Sequence, residues 1–130
     1  MTVKVVDASA LAAILFGEPE GEAIAGRMTG AELVAPALLH FELANVCLMK
    51  MRRHPADRDK LVSAFELLAR MGVRTIDVDH LGVLELSERT GLTAYDASYL
   101  WLARRLDADL VTLDRKLEAA WATPLTPSAS

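Results

Sequence analysis

Between Thr93 and Asp114 the chain reads TAYDASYLWLARRLDADLVTLD, a helix pattern that passes at once into a short strand pattern. Thr93 stands where a helix N-cap belongs, and Asp96 follows at the Thr-x-x-acid spacing of a capping box. Ala97, Leu100, Trp101 and Leu102 give the helix a wide apolar face, and Arg104 and Arg105 fall in its last turn, where the helix dipole favours cations. Leu110, Val111, Thr112 and Leu113 are a short run of the kind that is covered on both faces of a sheet, and Asp114 follows it. One carboxylate therefore opens a helix and another closes a strand. The N-terminus has the same arrangement: Val3 to Val6 read as a strand, Asp7 ends it, and Ser9 is positioned to cap a helix from Ala10. Ligands of open parallel sheets bind at the carboxyl ends of the strands, so both acids point toward one rim.

The remaining segments alternate in the same way. After a helix to about Phe16, GEAIAGRM reads as a second short helix and Leu33 to Ala35 as a second strand. Pro36 suits the first turn of a helix that runs to about Arg53, and HPAD is a turn. A helix from Arg58 to Met71, a strand from Val73 to Val78 and an Asp79-capped helix from Leu81 to Thr90 come next. A helix from Arg115 to Trp121 and a poor strand near Thr123 to Leu125 close the chain. Alternation of this kind implies an α/β domain: a central, mostly parallel sheet of four to five strands flanked by helices. Nothing in residues 1–130 marks a linker or a repeat, so a single domain is expected.

With 52% hydrophobic residues the chain has enough apolar surface for a real core. No apolar run reaches the ~18 residues of a membrane span, and the first strand does not look like a signal peptide. Cys47 is the only cysteine and lies in an apolar helix pattern; a buried thiol and a cytoplasmic location are expected. The net charge of −4 argues against nucleic acid as a partner, since affinity for a phosphate backbone comes from Lys and Arg. A local basic cluster (Lys50, Arg52, Arg53, His54, Arg58 and Lys60) runs against the bulk charge. It reads either as a solvated helix end or as a set of nucleic-acid contacts, of which Lys50, Arg52 and Arg53 are the candidates.

Glu42 is the third acid of interest. Leu38, Leu39 and Val46 share its helical face, as does Asn45, and an acid on an apolar stripe is costly unless paired or bound to a cation. Taken singly, Asp7, Asp96 and Asp114 read more readily as caps and strand ends than as a site. Brought together with Glu42 on one edge, they do not. Two carboxylates ~4 Å apart repel by about 4 kcal/mol at an effective dielectric near 20. Four therefore need a cation between them or must take up protons. An all-oxygen ligand set suits Mg²⁺ or Mn²⁺, whereas His40, His54 and His80 lack the spacing of a zinc site. A haloacid-dehalogenase-type phosphatase would need an acid where Ser9 stands, and no Gly-rich loop of a dinucleotide fold follows strand one.

Three segments, VVDASALAAILFGEPE, PALLHFELANVCLM and GLTAYDASYLWLARRLDADLVTLDRKL, fall in an order that resembles PIN-domain ribonucleases of the VapC toxin type over nearly the whole chain. The resemblance implies a three-layer sandwich around the sheet. It also implies an endoribonuclease that depends on Mg²⁺ or Mn²⁺ and cleaves structured RNA of the tRNA or rRNA class through a water activated by the metal. The family's acids carry over onto Asp7, Glu42, Asp96 and Asp114, and Ser9, Asn45 and Thr112 match its supporting polar positions. Further implications are a small VapB-like antitoxin as partner, a homodimer, and promoter DNA bound only through the antitoxin. The competing expectation is a catalytically silent PIN-like module that binds other proteins.

Overall fold

The computed structural model describes residues 2–124. In chain order its elements are β1 (Thr2–Val6), α1 (Ala8–Leu15), α2 (Gly21–Met28), β2 (Ala31–Ala35) and α3 (Leu38–Arg53). They continue with α4 (Arg58–Glu66), β3 (Arg74–Thr75), α5 (His80–Thr90), α6 (Ala94–Leu106), β4 (Asp109–Val111) and α7 (Arg115–Ala122). The four strands form one sheet in the order β3-β2-β1-β4, and every pairing is parallel. Val5 and Val6, Val34 and Ala35, and Leu110 and Val111 are consecutive buried pairs. Neighbouring strand residues face opposite sides of a sheet, so helices must cover both. The expected layered α/β architecture is present.

Chain order sets the position of the site. From β1 the chain moves to β2 on one side and returns, much later, to β4 on the other. The crevice between the carboxyl ends of β1 and β4 is thus the switch point of the sheet, where open α/β folds bind ligands. Asp7 leaves β1 there, its amide donating to the Val111 carbonyl at 3.2 Å.

Several expected boundaries change. The N-cap of α1 is Asp7, whose side chain accepts from the Ala10 amide, and the helix starts at Ala8. Ser9, expected as the cap, is already inside the helix. The third strand is confined to Arg74–Thr75 because β3 is an edge that only β2 can pair, and after the Ile76 amide bonds Ala35 the chain turns away toward α5. Ile76 and Val78 pack on the core without a strand partner. The helix expected to reach Met71 tightens into a 3₁₀ turn at Leu67–Arg70, a common way for a helix to end. The segment HPAD is likewise a 3₁₀ turn over Pro55–Asp57. Of the weak last strand, Thr123 and Pro124 are not extended into the sheet, and Leu125 lies outside the described residues.

α1 is buried on nearly all sides: Ala10, Leu11, Ala12, Ala13 and Leu15 are all core residues. Its short side chains let α2 approach closely. At Gly21 an added Cβ would stand 2.6 Å from the Ala13 carbonyl oxygen, a backbone atom with no room to yield. Gly21→Ala is expected to push α2 off α1 at a cost of about 1–3 kcal/mol, the usual range for overpacking, measured as a lower urea midpoint at unchanged m-value.

Candidate functional site

At the switch point a small hydrogen-bonded frame fixes Asp7, which is only 5% exposed. Its Oδ1 accepts from Ser9 Oγ at 2.7 Å and from the Ala10 amide at 3.0 Å, and its Oδ2 accepts from Thr112 Oγ1. Each hydroxyl also ties down the far strand. Ser9 Oγ accepts from the Leu113 amide at 2.9 Å, and Thr112 Oγ1 from the Asp114 amide at 3.0 Å. Ser9 and Thr112 therefore lock the ends of β1 and β4 together and leave the Asp7 carboxylate no freedom to turn. Both residues are singled out by the sequence; the structure shows what they do.

The other acids arrive from three separate elements. Asp114 follows β4 and caps α7, Oδ1 accepting from the Leu117 amide at 2.9 Å. Asp96 lies in the first turn of α6, below the Thr93 cap, whose hydroxyl accepts from the Asp96 amide at 3.2 Å. Glu42 lies on α3, half-buried, and its Oε1 accepts from the Tyr99 hydroxyl at 2.6 Å. Glu42 Oε2 and Asp114 Oδ2 have no protein donor among the described residues.

The carboxylates act on one another around a ring. Burial raises the pKa of Asp7, countered by its three hydrogen bonds and reinforced by the charge of Asp114. Burial also raises Glu42, against the Tyr99 hydrogen bond and with help from Asp96 and Asp7. Asp96 is raised by burial and then by Asp114, while the Thr93 hydroxyl and the Lys116 ammonium pull it down. Each acid thus feels or exerts the field of two others. The four acids are near enough for the charge of each to reach two others, and that repulsion is of the kind a cation relieves. They form an open ring: among the described residues no three of His, Cys, Asp or Glu are close enough to hold an ion as they stand. In chemical type the donor set fits a hard, oxygen-seeking divalent cation that keeps much of its water.

Tyr99 is a member of the site that the sequence does not single out. It lies three residues after Asp96, is 1% exposed, and burial followed by the bond to Glu42 pushes its phenol well above the ordinary value. One signal could have found it: a tyrosine in the apolar face of a helix needs a partner for its hydroxyl. Tyr99→Phe is expected to release Glu42 at a cost of about 1–2 kcal/mol, read by denaturant titration beside Glu42→Gln. The double variant should cost less than the sum of the two, because both remove one interaction.

The remaining candidates lie outside the ring. Asn45 is exposed, one turn past Glu42. Lys50 pairs with Glu18 at 3.4 Å and sits over the Phe16 ring, 5.5 Å from its centroid. Arg52 and Arg53 are exposed at the end of α3. Cys47 is buried, as expected, and its burial raises the thiol pKa.

Residues 4–121 match the family model of the PIN domain. The chain belongs to the PIN domain family. Within that family it is of the VapC type. It is 31% identical to Ribonuclease VapC3 of Pyrobaculum aerophilum over 128 residues, covering 95% of this chain and 98% of that protein. It is 35% identical to Ribonuclease VapC9 of Mycobacterium tuberculosis over 118 residues, 87% of each. Among solved structures, this PIN domain superposes on PAE2754 from Pyrobaculum aerophilum with a TM-score of 0.76 at 24% identity, over 95% of this chain and 88% of that one. It also superposes on Mycobacterium tuberculosis VapC20, described as a sarcin-ricin loop cleaving toxin, with a TM-score of 0.66 at 16% identity, over 95% and 99%. At those identities the structural matches speak for the PIN fold, which agrees with the sheet order and layering found here.

Proposed function

We propose that this PIN domain is a Mg²⁺- or Mn²⁺-dependent endoribonuclease, the toxin half of a VapBC-type pair, acting on structured RNA of the tRNA or rRNA class. The observation that carries this is the ring of four mutually repelling acids at the switch point of the sheet. Asp7, Asp96, Asp114 and Glu42 would hold the ion. When bound, such an ion supplies positive charge against phosphate oxygens and makes water acidic enough to attack near neutral pH. The chain's own part is orientation. Ser9, Thr112 and the Ala10 amide aim Asp7, Tyr99 aims Glu42, and the Leu117 amide aims Asp114. Arg52 and Arg53, with Lys50 to the extent that Glu18 releases it, are assigned to outlying phosphates. Asn45 supports the rim near Glu42.

A VapB-like antitoxin is the proposed partner, as the relatives' names suggest. A homodimer is supported by large apolar side chains left in solvent: Phe41, Leu81, Leu84 and Tyr95 are 79%, 63%, 56% and 67% exposed. Leu84 and Tyr95 line one mostly apolar cleft with Leu38 and Val83, and an apolar surface of that kind commonly marks a protein interface. Promoter DNA is assigned to the antitoxin, in keeping with this chain's net charge of −4. No helix among the described residues is long and apolar enough to cross a membrane, which accords with the cytoplasmic site of action proposed here.

The test is incubation with pooled tRNA and rRNA in Mg²⁺ or Mn²⁺, and in parallel with chelator. Discrete fragments that disappear with chelator are expected. Intact RNA in both metals, or cleavage indifferent to chelator, would refute the proposal.

A further inference from the structure

The end of α5, Leu92 and α7 line a pocket of about 370 Å³, with Arg89 and Lys116 in its wall. We infer that it binds a backbone phosphate of the RNA strand next to the one that is cut, with Lys116 as its principal cation and Arg89 as the second. The inference rests on the ribonuclease reading and adds a subsite to it.

Four observations carry it. Among the described residues the pocket's charged lining consists of Arg89 and Lys116, with no carboxylate, in a chain whose net charge is −4. A larger cleft lined by Ser9 and Thr112, about 690 Å³, sets Glu18, Glu20 and Glu118 against Arg27 and Arg115, and suits a phosphate poorly. Lys116 stands two residues after Asp114, the ring's acid at the start of α7. Its ammonium forms no ion pair among the described residues, and one hydrogen bond, to the Gly91 carbonyl at 3.2 Å, occupies one of its three N–H groups. Lastly, Lys116 is in the first turn of α7, the end of a helix where the dipole opposes a cation. Helix stability does not account for a lysine there; a nearby anion does. Lys50, by contrast, already has Glu18.

The test is the salt dependence of binding to a single-stranded RNA oligonucleotide of mixed sequence. It uses an Asp7→Asn background, in which the N-cap is retained and the RNA stays whole. For every phosphate that a variant no longer neutralises, the slope of log K against log salt should flatten by about 0.7. Lys116→Gln is expected to show that change and Lys116→Arg to retain the original slope. Lys60→Gln, an equal charge change at an exposed position on α4, should leave the slope alone. An unchanged slope in Lys116→Gln would overturn the subsite, leaving the cations to a protein partner. Equal flattening by Lys60→Gln would overturn it too, as an effect of overall charge. Failure of the unmutated chain to cut RNA in metal would instead count against the ribonuclease reading, so the two failures can be told apart.

Discussion

Asp96→Asn is expected to lower kcat/KM for RNA cleavage by roughly two orders of magnitude or more while the protein stays folded. A hundredfold loss corresponds to about 2.7 kcal/mol of transition-state stabilisation, a modest demand on a group proposed to hold the ion that neutralises the reacting phosphate. The substitution keeps the shape of the side chain and removes its charge. It also leaves the α6 cap in place, because the Thr93 hydroxyl bonds the backbone amide of Asp96. A far-ultraviolet spectrum and melting curve like those of the unmutated chain should therefore accompany the loss. Asp7→Asn should behave similarly, since Asn caps a helix as well as Asp does. Cleavage by purified Asp96→Asn at the unmutated rate would remove this residue from the site.

The second large effect concerns stability. Asp7, Glu42 and Asp96 all have folded-state pKa values above their ordinary ones, with burial as the first cause in each. A carboxyl group raised in this way binds its proton more tightly in the folded chain. Its stabilising contribution is complete below the ordinary carboxylate range and is lost as pH rises through the folded-state value. The metal-free protein should accordingly lose stability from this site as pH rises above the ordinary carboxylate range of about 4, and Asp96→Asn should reduce that loss. At pH 7 the proposed cation is expected to offset the repulsion. Mg²⁺ or Mn²⁺ at about a hundred times its Kd should add about 2.7 kcal/mol, a rise in Tm of the order of 10 °C for a domain of this size. Calorimetric melts from pH 4 to 8, with metal and with chelator, measure both trends. A metal-free stability that increases through that range by the same amount in the Asn variant would contradict them.

The sequence shows the outline of this fold because its strongest signals are local and repeated. Asp79 and Thr93 cap their helices as expected, α2 covers GEAIAGRM, and the buried pairs in β1, β2 and β4 come from the apolar runs. The discrepancies arise where tertiary pairing overrides local preference. Val73 to Val78 has strand character, yet an edge position with one neighbour supports pairing at only two residues. Ser9 has the chemistry of a cap, but Asp7 is one residue outside the helix and takes that role, which frees the serine to join β1 to β4. Asp7, Asp96 and Asp114 could be named individually because each sits at a recognisable boundary, and Glu42 because it interrupts the apolar stripe of a helix. The Tyr99–Glu42 bond spans 57 residues and joins two helix faces, so only the fold brings it into view. The pairing of Lys50 with Glu18 is hidden in the same way: spacing along α3 says nothing of the loop that folds against it.

That the ring of acids exists to hold a divalent cation can be measured without RNA. Titration calorimetry of Mn²⁺ into the unmutated chain at pH 7, and into the Asp7→Asn, Asp96→Asn double variant, isolates the point. Saturable binding in the first and its loss in the second is the expected outcome. Binding of equal strength in both proteins, or none in the unmutated chain even with uncleavable RNA present, would contradict it.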